Sequence, residues 1–169
     1  MNSNNKIKYV SYFLISIILL VLLDQFTKYL AVEFLKNNES FVLIPGILEL
    51  EYLENTGAAF GILLGQQWFF YIITIVMIFV MVFIYFKMPM NKKYLPGHIV
   101  LIFIIAGAIG NFIDRVVQQY VVDFIYFSLI NFPKFNFADI YITFGCFVMF
   151  FLVLFIYKDE DLQFLSKKK

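Results

Sequence analysis

Asp24, Lys28, Asn111, Asp114, Arg115, Asp123, Asn136 and Asp139 stand within or beside long apolar runs of this 169-residue chain. A charged side chain at membrane depth costs a few kcal/mol, so such residues are functional candidates by default. Asp24 and Lys28 are four apart and share a helix face. Asn111 precedes Asp114 by three and Arg115 by four, again one face. Asn136 and Asp139 are three apart. Two carboxyls held close share a proton, because a like charge raises one pKa. The ionised member takes a proton from water attacking an amide carbonyl, and the protonated member donates to the carbonyl oxygen or the leaving nitrogen. Such a pair titrates as a unit. Asp123 and Asp139 suit this chemistry, each set among apolar residues on a separate element. Spacing alone does not choose them over Asp24 or Asp114.

Other chemistries fare worse. The single histidine, His98, opens the third apolar run, about a bilayer thickness from the polar cluster, and cannot act as base for a serine there. Ser128 with Lys134 could form a Ser–Lys dyad, with nothing else to support it. Zinc sites draw three or four ligands, commonly from His and Cys, and the chain has one of each. Cys146 can form no intrachain disulfide and reads as an inert apolar side chain. Hydrolysis by a metal held on carboxylates alone lacks a recognisable ligand motif.

The elements that must position these residues are membrane helices. The chain is 62% hydrophobic and 15% charged, against about a quarter charged in soluble domains. Spans are expected at residues 9–31, 68–86, 98–113 and 137–157, each near the roughly 20 residues a bilayer needs. The third is short and is expected to extend into an Asn111–Arg115 turn. The first has Lys6 and Lys8 ahead of it but no small-residue cleavage site, and reads as a retained helix. The whole, residues 1–169, reads as one membrane domain with outer segments at 32–67 and 114–136. Leu48 to Tyr52 alternates with period two, which suggests a strand, and Pro45-Gly46 before it suggests a turn. Asn55 to Gly61 reads as a loop. Ala106 and Gly110, four apart, permit close helix approach.

Each candidate also has a structural reading. Asp24 and Lys28 could be an ion pair with Lys28 snorkelling outward. Arg115 could be an interfacial anchor, Asn136 a helix cap, and Asp139 a first-turn aspartate favoured by the helix dipole. Glu49, Glu51 and Glu54 read as a solvated face. A transporter would also carry intramembrane charges, but with internal repeats and a midplane site, and no repeat is visible here. A structural subunit would tolerate loss of single aspartates. What favours a site is convergence: three predicted helices bring polar residues to one depth, Asp24 lying roughly 20–25 Å up the first.

The blocks Asp24-Gln25-Phe26-Thr27-Lys28, Asn55-Thr56-Gly57-Ala58-Ala59-Phe60, Gly107-Ala108-Ile109-Gly110-Asn111-Phe112-Ile113-Asp114-Arg115, Val121-Val122-Asp123-Phe124 and Phe135-Asn136-Phe137-Ala138-Asp139 resemble, in order and spacing, the bacterial lipoprotein signal peptidases, or type II signal peptidases. Ala106 stands where that family often has a second glycine. The resemblance implies an all-α integral membrane protein, four transmembrane helices with a small extracytoplasmic β-cradle. It implies an aspartic endopeptidase, without metal or cofactor, that cleaves prolipoproteins just before a diacylglyceryl-modified cysteine. Asp123 and Asp139 match the catalytic pair. Asp24, Lys28, Asn55, Asn111, Arg115 and Asn136 match the polar surround. The expected partners are lipid-modified prolipoproteins and membrane lipids. No nucleic acid is expected, and the chain is expected to be a monomer in the bacterial cytoplasmic membrane.

Lysine and arginine placement orients the chain. The N-terminus, the loop between spans two and three and the C-terminus hold nine, and the opposite side holds Lys28, Lys36, Arg115 and Lys134, which accounts for all 13. Both termini are therefore expected to be cytoplasmic. Tyr9, Tyr12, Tyr85, Tyr94 and Tyr157 are expected at the inner boundary, with Trp68 and Tyr71 at the outer. Single cysteines placed at Glu39 and Lys134 in a Cys146-free chain should react with an impermeant thiol reagent outside intact cells. Reaction only after the inner face is opened would reverse the topology.

Overall fold

The computed structural model describes residues 3–57 and 66–166, with side chains from Lys8 onward. Ala58, Ala59 and Phe60 of the second matched block, the rest of the loop expected through Gly61, the Lys6 side chain and the lysines at 167–169 lie outside the described residues. The chain runs α1 (Ser3–Leu35), β1 (Phe41–Ile44), β2 (Leu48–Asn55), α2 (Gln67–Lys87), α3 (Leu95–Gln118), β3 (Val121–Tyr126), α4 (Phe137–Phe151) and α5 (Asp159–Ser166). Among the described residues, four helical segments are long and apolar enough to cross a membrane: Lys8–Leu35, Gln67–Lys87, Lys92–Gln118 and Phe137–Ile156. The protein is a multi-pass membrane protein.

α3 is the central helix. Half of its most apolar window, 50%, is buried, against 11–17% in the other three. The others spend their apolar residues on lipid: Leu19 and Leu22 of α1, Phe79 of α2 and Phe147 of α4 are all exposed. Packing, not hydropathy, distinguishes the four, because lipid is as apolar as a protein interior. Pro96 in the first turn of α3 supplies a fixed φ where no intrahelical N–H is required. The helix continues to Gln118, so Asn111–Arg115 is helical and not the turn expected from sequence. Gln119 ends it in the left-handed region, its N–H donating to the Arg115 carbonyl at 3.1 Å.

Small residues set the helix spacing, though not quite the pair singled out above. Ala106 is fully buried, but on α3 the closest approaches are at Gly107 and Gly110. A Cβ on Gly107 would collide with the Ala138 carbonyl, and one on Gly110 would lie 2.5 Å from Asp24 Oδ2. The two glycines admit α4 and the Asp24 carboxylate against the face of α3.

At the site end, β1, β2 and β3 form an antiparallel sheet in that order. Gly46, at φ +68°, turns the chain from β1 to β2, as Pro45-Gly46 suggested. β1 and β3 were not legible as strands in the sequence, since neither alternates. β2 pairs with β3 in two registers: Leu50 faces Ile125, but Leu53 faces Asp123 and Asn55 faces Val121. One extra residue on β2 therefore lies between Leu50 and Leu53.

At the opposite end, Phe13, Ile17, Tyr85, Val100, Leu101, Leu152 and Tyr157 form the main core. Tyr9 and Tyr12 are exposed. Tyr85, Tyr94 and Tyr157 are instead buried, because their rings pack on His98 at 4.7 Å and on one another at 5.4 Å. α5, which the sequence did not announce, is held to this end by the Lys93–Asp161 ion pair.

Gly107→Ala should destabilise the protein by about 1–3 kcal/mol, the usual cost of forcing a methyl group into a packed contact. Its obstacle is backbone, which cannot rotate away. Thermal unfolding in detergent should show a lowered Tm; an unchanged Tm would mean that α3 and α4 have room to separate.

Candidate functional site

Lys28 is the centre of the polar cluster. Its side chain is 4% exposed, so it does not snorkel outward, contrary to the interfacial reading of the Asp24–Lys28 pair. Its ammonium lies 2.9 Å from Asp24 Oδ2, 2.9 Å from Asp114 Oδ2 and 2.9 Å from Asn111 Oδ1. An ammonium has three N–H donors and no acceptor, and here each donor has a partner. The aspartates then reach further. Asp24 Oδ1 accepts the Ala138 N–H at the start of α4 (2.9 Å), and Asp114 Oδ2 accepts the Val122 N–H of β3 (3.3 Å). Gln25 completes Asp114, donating from Nε2 to Oδ1 at 2.9 Å. One ammonium thus ties together α1, α3, α4 and β3. Neither Gln25 nor a role for Asp114 was assigned from sequence; the signal available was Gln25 following Asp24 in the matched block.

The three asparagines have defined orientations, because each faces a group that can only donate. Asn111 Oδ1 faces Lys28, which leaves Nδ2 to donate to Asp139 Oδ1 at 2.8 Å. Asn136 Oδ1 accepts the Asp139 N–H at 3.0 Å, so its Nδ2 donates to Asp123 Oδ1 at 2.7 Å. Asn55 Oδ1 accepts the Gly57 N–H at 2.9 Å, so its Nδ2 donates to Asp123 Oδ2 at 2.7 Å. The Asn136 N–H supplies the last carboxylate oxygen, Asp139 Oδ2, at 3.1 Å. All four oxygens of Asp123 and Asp139 therefore receive a nitrogen donor.

Local structure delivers these groups. Asn136 and Asp139 form a reciprocal capping box at the start of α4, so the cap and first-turn readings of these residues are correct, and they coincide with site geometry. Phe135 pairs with Ile125 through two backbone hydrogen bonds, which brings residue 136 beside β3. The extra residue in β2 has a specific effect. Continued from Leu50–Ile125 without it, the register would place Asn55 opposite residue 120, on the other face from Asp123. With it, Asn55 faces Val121, two residues from Asp123 and on the same face, a diagonal neighbour.

Asp123, Asp139, Asn55, Asn111 and Arg115 line one cavity of about 800 Å³ whose other walls include Ile73, Met77, Ile104, Ile140 and Phe144. That size is within the range of ligand pockets. Arg115 turns toward this space, not outward to the interface: its guanidinium lies 4.6 Å from the Phe70 ring and donates from Nη2 to the Gly57 carbonyl at 3.3 Å. It ties α3 to Gly57, just after β2. Asp123 is 2% exposed, and its pKa is pushed up to about 7, first by burial and then by the Asp139 charge, with Asn55, Asn136 and Lys28 opposing. Near neutrality Asp123 can therefore take up or release a proton.

Residues 16–155 match the family described as signal peptidase (SPase) II. The chain belongs to this family. Two lipoprotein signal peptidases of Streptococcus pyogenes, from serotype M5 (strain Manfredo) and serotype M18 (strain MGAS8232), are each 43% identical to it over 149 residues, which is 88% of this chain and 95% of the relative. Two solved bacterial membrane enzyme structures, both obtained by the in meso method, have the same fold. One has a TM-score of 0.76 and 33% identity, covering 95% of this chain and 94% of that one. The other has 0.74 and 34%, covering 88% and 96%. Membership of the signal peptidase II family makes the protein a peptidase of the membrane.

In this signal peptidase fold the remaining sequence candidates find other partners. Lys134 pairs with Glu51 at 2.8 Å, so the Ser128–Lys134 dyad does not form. Glu54 pairs with Lys36 at the surface. His98 is buried against Tyr85, its Nε2 at 3.3 Å from the Pro89 carbonyl.

A carboxyl whose pKa rises on folding, from the ordinary 3.8 to about 7, binds its proton more tightly in the folded state. It therefore costs stability as pH rises through that window. Wild-type Tm should fall as pH rises from 5 to 8, and that of Asp123→Asn should fall less. The Tm of the variant relative to wild type should therefore rise with pH, on top of a pH-independent cost of the amide donors that Asn55 and Asn136 aim at residue 123. A pH-independent difference would mean that Asp123 ionises as freely in the fold as in the unfolded chain.

Proposed function

We propose that the protein removes signal peptides from lipoprotein precursors by aspartic catalysis, with Asp139 as general base and Asp123 as general acid. The observation that carries this reading is the convergence of two buried carboxyls, from β3 and α4, on one largely apolar cavity at the end of the helix bundle. The relatives' names supply the substrate class. The apolar walls suit the acyl chains of a diacylglyceryl-modified cysteine and the apolar stretch of its leader.

Each aspartate has two nitrogen donors, and the helix start supports the division of roles. Asp139 lies in the first turn of α4 and accepts a backbone N–H there, a position that favours negative charge. Asp123, raised to about 7, holds the proton. Water between the carboxyls loses a proton to Asp139 as its oxygen bonds to the carbonyl carbon of the residue before the lipidated cysteine. Asp123 donates its proton to the carbonyl oxygen. The tetrahedral intermediate collapses as Asp139 passes its proton to the departing amide nitrogen and Asp123 recovers one from the gem-diol. The products are a leader with a new carboxyl terminus and a lipoprotein with a free α-amino group on its first cysteine. Lys28, Asn111, Asn136 and Asn55 position the pair, and Arg115 holds the backbone at Gly57 beside it. With the lysine bias, both termini would be cytoplasmic and the cavity would open at the outer face of the cytoplasmic membrane.

Asp123→Asn and Asp139→Asn should each lower kcat on a diacylglyceryl-modified precursor peptide by at least about 10²–10⁴-fold, the usual worth of an acid or base. Wild-type rate should fall as pH rises above about 7, where Asp123 loses its proton, and should survive strong chelators. Near-wild-type turnover by both variants would refute the aspartic mechanism, and restoration by zinc after chelation would make the carboxylates metal ligands.

A further inference from the structure

We infer that Lys28 is a positioning residue that acts on the reaction through Asn111. By holding the Asn111 carbonyl oxygen, it obliges that amide to present its N–H, and not its oxygen, to Asp139. The inference rests on the role proposed for the aspartate pair.

The geometry leaves Asn111 one productive orientation. Its Oδ1 accepts from Lys28 Nζ at 2.9 Å and from Asn136 Nδ2 at 3.1 Å, while its Nδ2 donates to Asp139 Oδ1 at 2.8 Å. Rotation of the amide by half a turn would set an NH₂ group against an ammonium and a second amide donor. It would also set a carbonyl oxygen against Asp139, which would then need the proton to form any bond there. A buried donor facing a donor costs the full desolvation of both groups. Lys28 in turn cannot turn away, since Asp24 and Asp114 hold its other two protons and almost none of it is exposed.

The consequence is directional. The Asn111 N–H is one of two donors on Asp139, and losing it would remove stabilisation of ionised Asp139 while Asp123 kept both of its own amide donors. Were the amide reversed, the proton would move to Asp139 and the general base would be lost. Among the described residues, the charged groups around Asp139 are Asp24 and Lys28 on α1, Asp114 and Arg115 on α3, Asp123 on β3 and, in the lining of the same cavity, Lys134. Of these, only Lys28 contacts the side-chain oxygen of Asn111, while Arg115 Nη1 reaches its backbone carbonyl at 3.5 Å.

The test uses the full-length protein and a diacylglyceryl-modified precursor peptide, with kcat and KM followed across pH. Lys28→Met should lower kcat about 10²-fold with KM little changed, and should move the acidic limb of the profile upward by about one pH unit, the scale of losing one charge-assisted hydrogen bond. Asn111→Ala, which leaves the Lys28 ion pairs in place, should give the same loss and shift even if Lys28→Met does not fold. The double variant should be no worse than Asn111→Ala alone, as expected for residues acting in series. An unshifted acidic limb in Asn111→Ala overturns the inference. So do additive effects in the double variant. Asp123→Asn and Asp139→Asn run alongside: if they remain active the aspartic reading fails, whereas if they are inactive and the limb does not move, only the role of Lys28 fails.

Discussion

A single ammonium group cannot be left unpaired at membrane depth, and the architecture at the site end follows from how Lys28 avoids it. Its three protons go to Asp24, Asp114 and Asn111, and the two aspartates spend their remaining capacity on the backbone of α4 and β3. Buried ion pairs contribute little net stability, because desolvation offsets attraction, but they specify geometry, since any misplacement leaves a bare charge. The glycines of α3 belong to the same constraint. The Asp24 carboxylate sits where a Gly110 side chain would be, and the Ala138 carbonyl sits against Gly107.

From that anchor the two cavity-facing aspartates are set by two local irregularities. Asp139 is placed by the capping box that starts α4, so one hydrogen-bond pair both begins the helix and orients the carboxylate. Asp123 is placed by β3, and its partner Asn55 is brought to the same face by one extra residue in β2. A regular strand pair would have presented Asn55 to the other side. Bulges re-aim side chains in this way near functional sites.

The asparagines explain how so many acidic groups coexist in an apolar setting. Asn55, Asn111 and Asn136 bring amide donors to Asp123 and Asp139 without adding charge. Each is itself oriented by a group that can only donate: a backbone N–H or the Lys28 ammonium. Such a network is costly if any member is left unsatisfied, so polar contacts specify this end, whereas much of the apolar surface of α1, α2 and α4 is exposed.

Much of this was legible in the sequence. Long apolar runs determine four spans, because a bilayer leaves the backbone little choice but helix. Charges within those runs marked Asp24, Lys28, Asp114, Arg115, Asp123 and Asp139, since such residues are too costly to carry without a use. Helical spacing joined Asp24 to Lys28 and Asn136 to Asp139, and both pairs meet. The matched blocks identified the family and pointed to Asn55. What the sequence could not decide was everything that depends on register and direction between elements. β1 and β3 carry no alternation to betray them, and the Asn111–Arg115 segment reads as a span end although the helix runs on to Gln118. Lys28 could snorkel or turn inward, and only the positions of Asp114 and Asn111 on a neighbouring helix decide between them. The extra residue in β2 leaves no mark in composition, because a strand's pattern records its own two faces and not the partner residue that each will meet.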